Sequence, residues 1–137
     1  MIQDLMAALV ANLRAAPAIS ALAGTRVYGL ELPAAEAPHM PRHVVVLSPS
    51  GGVDSALTHS LPLESQRVDV RCYGATGLEA VRLRRVVRHH LRGLVRVRQG
   101  TVLIHSAVPA GGLAEDVTER WPYAWESWSV LASEIAA

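Results

Sequence analysis

The sequence predicts an α+β fold, an antiparallel or mixed β-sheet packed against an N-terminal helix and a second long helix over about residues 75–93. Three observations carry this. Arg67-Val68-Asp69-Val70-Arg71-Cys72-Tyr73 alternates, placing Val68, Val70 and Cys72 on one face and Arg67, Asp69, Arg71 and Tyr73 on the other, as in a half-exposed antiparallel strand. After it, Ala80, Leu83, Val86, Val87, Leu91 and Leu94 recur at helical spacing behind a Thr76–Glu79 capping box. Strand-like segments come in runs around that helix, in the order αβββαβββ, and do not alternate one for one with helices. With 137 residues, 50% hydrophobic and 18% charged, the chain can bury a core and fits one domain over 1–137.

The elements follow in order. Residues 2–16 form an amphipathic helix, with Ile2, Leu5, Met6, Leu9 and Leu13 on one stripe. Pro17 ends it, because a residue before proline leaves the helical region. Ala18 to Ala23 form a short turn or helix closed by Gly24. Arg26 to Leu30 are a short strand, and residues 31–42, with three prolines, an irregular link. His43-Val44-Val45-Val46-Leu47 reads as a central strand, and Pro49–Leu61 as a flexible loop. Residues 95–98 and 101–108 form a hairpin around Gln99-Gly100, and Gly111-Gly112 open a further loop. Trp121 to Leu131 fit either periodicity, and Pro122 with the aromatic content favours a strand. The three Trp serve the core or an interface; a chain without Phe needs them in the core.

Composition excludes several functions. One cysteine, Cys72, allows no internal disulfide or thiol-rich metal cage, and its place on an inner strand face suggests an inert thiol. His39, His43, His59, His89, His90 and His105 show no metal-binding spacing. The N-terminus lacks the pattern of a signal peptide, and no apolar stretch is long enough for a membrane span. Asp54, Ser55 and His59 are near in sequence, but nothing resembles a nucleophile elbow. Glu64 and Asp69, alternating with Arg67 and Arg71, read as exposed cross-strand ion pairs.

Two features invite a functional reading. Ser50-Gly51-Gly52-Val53-Asp54-Ser55 matches the SGGxDS phosphate loop of the adenylating ATP pyrophosphatases. That loop needs a long helix behind it to aim amides at phosphate, whereas here Pro62 arrives within two turns. The plainer reading makes Ser50, Gly51, Gly52, Val53 and Asp54 a flexible contact loop. The second feature is charge. All thirteen basic residues are Arg, and 75–98 hold seven of them against one acid, Glu79; the rest of the chain has six Arg and eleven acids. Arg82, Arg84, Arg85, Arg88 and Arg92 are read onto one helix face, with Leu78 and Val81 beside them. That face is solvated, contacts a protein, or tracks phosphates; apolar residues among the Arg favour the protein contact, with Leu78, Arg82, Arg85, Arg88 and Arg92 as candidate interface residues.

The full pattern resembles the tail-completion, or tail-terminator, proteins of long-tailed bacteriophages and gene-transfer particles. The resemblance rests on the Leu-spaced first helix, Ile19-Ser20-Ala21-Leu22-Ala23-Gly24-Thr25-Arg26-Val27-Tyr28, the proline-rich link, Pro41-Arg42-His43-Val44-Val45-Val46, Arg67 to Thr76, the helix opening Gly77-Leu78-Glu79-Ala80, and a Trp-containing last strand. It is one of order and spacing over almost the whole chain. It implies a small, non-enzymatic virion protein without a cofactor, assembled in the host cytoplasm. It also implies a homo-oligomeric ring, commonly a hexamer, that caps the tail tube protein and docks a head-completion or neck protein. Genomic DNA would pass through the lumen without sequence-specific binding, and no membrane is involved. A head–tail connector or neck protein of related fold is the alternative within this class, and an ATP-binding pyrophosphatase-type protein the alternative outside it.

Overall fold

The computed structural model describes residues 5–54, 63–116 and 121–135. Helix α1 (Leu5–Ala15) runs into α2 (Pro17–Ala23) at an angle of 83°. The bend sits at Ala16, whose extended backbone (ψ 117°) is what the following proline demands; Pro17 then starts α2, where its missing N–H costs nothing. Strand β1 (Val27–Gly29), a link with a 3-10 turn at Ala37–His39, β2 (Val44–Asp54), β3 (Leu63–Tyr73), α3 (Gly77–Arg92), β4 (Val97–Gln99), β5 (Val102–Asp116) and β6 (Tyr123–Glu134) complete the order. The fold is α+β, as expected. Among the described residues no single helix is long and apolar enough to cross a membrane.

The six strands form one sheet in the order β1-β2-β3-β6-β5-β4. Only β1 and β2 pair in parallel; the other neighbours are antiparallel. The helices cover one face. Leu5, Leu9 and Leu13 of α1, Ile19 of α2 and Leu83, Val87 and Leu91 of α3 pack on Val45, Leu47, Val68, Val70, Cys72, Ile104, Trp128 and Val130. On the other face the link folds back, and Leu32 and Met40 cover Val44, Val46, Tyr73 and Tyr123. Val44 to Leu47 are thus buried on both sides of the sheet, which is why this stretch is apolar without alternation. Tyr28 donates to Glu36 at 3.2 Å, and Arg42 donates to the same carboxylate at 2.6 Å, fastening the link.

The structure corrects several expectations. Pro49 to Asp54 do not form a loop: β2 runs through them, paired with β3 from Pro49↔Val68 to Asp54↔Glu64. The contact-loop residues Ser50, Gly51, Gly52, Val53 and Asp54 are therefore strand, and residues 55–62, with Ser55 and His59, lie outside the described residues. Gly111-Gly112 likewise continue β5 and do not end it. In both places a Pro-Xaa-Gly sequence reads as a turn but makes a β-bulge, at Pro49/Gly51 and Pro109/Gly111. The glycines take φ of 121° and 101°, a conformation closed to other residues, so each strand bends and carries on. Glu64 is not an exposed ion-pair partner but buried, and Asp69 accepts a hydrogen bond from the Ser127 hydroxyl.

Candidate assembly surface

Helix α3 starts from a fixed point. The Thr76 hydroxyl accepts from the Glu79 amide at 3.2 Å, half of the expected capping box. Instead of closing the other half, the Glu79 side chain meets His43 Nε2 at 3.0 Å and stands 3.8 Å from Arg82. Gly74, between β3 and α3, lets the strand end lie against the first turn, since a Cβ there would come within 2.4 Å of the Ala80 nitrogen.

The five Arg of α3 do not share one face. At about 100° per residue Arg84 falls only about 40° from Ala80, inside the buried arc, and Arg88 falls on its flank. Arg84 is accordingly 8% exposed. Arg88 donates to Glu126 of β6 at 2.6 Å, and the Glu126 side chain is 3% exposed. Arg88 is thus held by the chain's own buried carboxylate and drops out of the candidate interface as a free cation. The exposed row is Leu78, Arg82, Arg85, His89 and Arg92, three and four residues apart along the whole outer side of α3. Among the described residues Leu78, at 84% exposure, is the most exposed large apolar side chain. His89 falls on the Arg side by its spacing from Arg85 and Arg92, and the structure exposes it in the same row.

A second surface lies on the outer sheet face. The link, β2, β3 and β6 enclose an open cleft of about 590 Å³ lined by Tyr73, Trp121, Tyr123 and Trp125, with Asp69 and Arg71 beside them. Tyr73 meets Trp121 edge-on (centroids 6.4 Å apart) and Tyr123 at 5.9 Å. The Arg71 guanidinium stands 4.9 Å above the Tyr123 ring. The Trp residues are therefore divided: Trp128 is the largest fully buried side chain of the helical-side core, whereas Trp121 and Trp125 belong to the outer-face cluster. Period-two alternation through β6 separates Trp125 from Trp128 and was the signal for this division.

The titratable groups are structural. Burial pushes the Cys72 thiol far above its ordinary range, and nearby Glu126 adds to this, so the thiol stays protonated and inert. The Arg42 guanidinium and the Tyr28 hydroxyl hold Glu36 below its ordinary value despite burial. Burial lowers His90, with His89 contributing, and its Nε2 lies 2.6 Å from Asn12 Oδ1 of α1. Among the described residues no group of three or more His, Cys, Asp or Glu is placed to hold a metal ion.

The sequence matches no family model and no curated protein. Its fold, however, is shared with a solved chain from the "Virion of native gene transfer agent (GTA) particle": the two superpose with a TM-score of 0.67 at 19% identity, over 94% of this chain and 94% of that one.

Proposed function

We propose that this chain is a non-enzymatic virion structural protein that forms a ring, commonly a hexamer in the family it resembles, capping the tail tube and joining it to the head or neck. The observation that carries this reading is the shared fold with a chain of a gene transfer agent virion, end to end on both sides. Conservation of the whole layout at 19% identity fits a role that depends on shape. The row of Leu78, Arg82, Arg85 and Arg92 on α3 supplies a subunit or partner contact, cationic on a chain whose remaining residues are net acidic. Its partners in this reading are further copies of itself, the tail tube protein and a head-completion or neck protein, with genomic DNA passing through the lumen without base contacts.

The SGGVDS string gains no support for nucleotide binding, because Ser50 to Asp54 run as a strand paired with β3 and do not form the glycine turn that would cradle a phosphate. Light scattering and negative-stain imaging of the purified protein test the reading. Closed rings that cap isolated tail tubes and stop their elongation are expected; a protein that leaves tube growth unchanged contradicts it.

A further inference from the structure

Strands β2 and β5 are each far longer than the strand that covers their outer edge. β1 pairs only with Val45 to Leu47, followed by one bond from the Leu30 amide to Leu47. β4 pairs only with Val102 to Ile104, followed by one bond from the Arg96 amide to His105. Among the described residues nothing pairs with the outer edge of β2 from Ser48 to Asp54, nor of β5 from Ser106 to Asp116. Exposed edges of this length template pairing with another chain, and soluble proteins ordinarily cover or charge them. Over Ser48 to Gly51 and Ser106 to Gly111 the edge carries no charged residue and, among the described residues, no covering strand; one proline and one bulge are its only guards in each run, and Val108 is 52% exposed.

The two open runs fit each other. Following the register across the sheet, Ser48 is level with Asp69, Ser127 and Gly111, and Val53 is level with Ser65, Leu131 and Ser106. The runs therefore stand at one height on opposite edges. Pro49, Val68, Trp128 and Pro109 form a single row. Each proline removes one edge donor, and in a level junction the two gaps fall opposite one another, where they interrupt the ladder once. Direction also agrees: each of β2, β3, β6 and β5 is antiparallel to the next, so β2 and β5 run opposite ways. A neighbouring β5 laid against β2 continues the antiparallel alternation without a break. Both bulges are braced from β3, by Gln66 Nε2 on the Gly51 carbonyl at 2.7 Å and by Arg67 Nη2 on the Ala110 carbonyl at 3.0 Å. The edges are held in shape before any partner arrives.

We propose that copies of this chain join edge to edge, the outer run of β2 in one copy adding as an antiparallel strand to the outer run of β5 in the next. The contact uses two different surfaces, so it is heterologous and repeats from copy to copy. Such a contact closes a ring when the rotation between copies divides a full turn, and the level register adds no slip along the strands from one copy to the next. Main-chain hydrogen bonds supply this junction, leaving the cationic row of α3 for a further contact. The inference rests on the ring reading above and specifies how the ring is built.

The single native cysteine is buried, so introduced cysteines report cleanly. Chains carrying Ser50→Cys and chains carrying Val108→Cys are mixed, oxidised and run without reductant, beside the double variant. Disulfide dimers from the mixture only, and a ladder ending in a closed ring from the double variant, are expected; an open-ended ladder keeps the pairing and rejects closure. Hydrogen exchange on the unmodified protein gives a second readout. Assembly is expected to slow the amides of Gly51 to Val53 and Ser106 to Val108 by about tenfold or more. Rings that form without cross-links and without that protection overturn the edge pairing while keeping the ring. A protein that stays monomeric at micromolar concentration overturns both.

Discussion

Glu126 shows how a single side chain redirects an element. It stands on the inner face of β6, where alternation would place an apolar residue, and its carboxylate is buried against α3. A charge in that position needs a partner, and Arg88 reaches in to provide it at 2.6 Å. Arg88→Ala leaves the carboxylate unpaired and is expected to cost about 3 kcal/mol in urea denaturation. The double replacement Arg88→Met with Glu126→Leu should recover most of that loss, since an apolar pair removes the desolvation along with the charges. The pH response is likewise a residue property. His90 titrates below its ordinary 6.5 in the folded state, so its contribution is complete above 6.5 and is lost as pH falls toward the lowered value. Glu36, also lowered, adds a second loss below its ordinary 4.5. Thermal melts should therefore show stability falling from neutral pH downward, and His90→Gln should flatten the first part of that fall. What the sequence could not reveal at this scale was pairing at a distance: nothing near Arg88 in the chain announces Glu126, 38 residues away.

Among the elements, those set by local rules were legible. α3 was legible from its period and its Thr76 cap, β3 from its alternation, and the α1–α2 break from Pro17. The long arms of β2 and β5 were not, because Pro-Xaa-Gly carries the chemistry of a turn. It becomes a bulge only when a neighbouring strand holds both sides, a tertiary condition that local sequence does not express. Gly74 is the joint that this scale depends on. Gly74→Ala forces the β3 end and the first turn of α3 apart, since its Cβ would meet backbone atoms at 2.4 and 2.7 Å. A loss of about 2–3 kcal/mol is expected, measured by denaturant unfolding; a loss under half a kilocalorie would mean that the joint relaxes freely.

At the scale of the molecule, order and spacing were readable because they follow from burial, while the surfaces were only half readable. The exposed row of α3 followed from helical spacing, yet of the five Arg read onto that face Arg84 lies within the buried arc and Arg88 turns in to Glu126. The aromatic cleft required knowing that the proline-rich link folds across the sheet. Arg82→Glu together with Arg85→Glu reverses the exposed row without touching Arg88 or the core. The protein should keep its circular dichroism spectrum and melting temperature within a few degrees while losing its assembly contact. If the doubly reversed protein assembles and binds tail tubes as before, the row is a solvated face.

Electron microscopy of the purified protein tests the central claim most directly. Closed rings of identical subunits are expected, with the β2 edge of each against the β5 edge of the next. Isolated protomers at every concentration examined would contradict it.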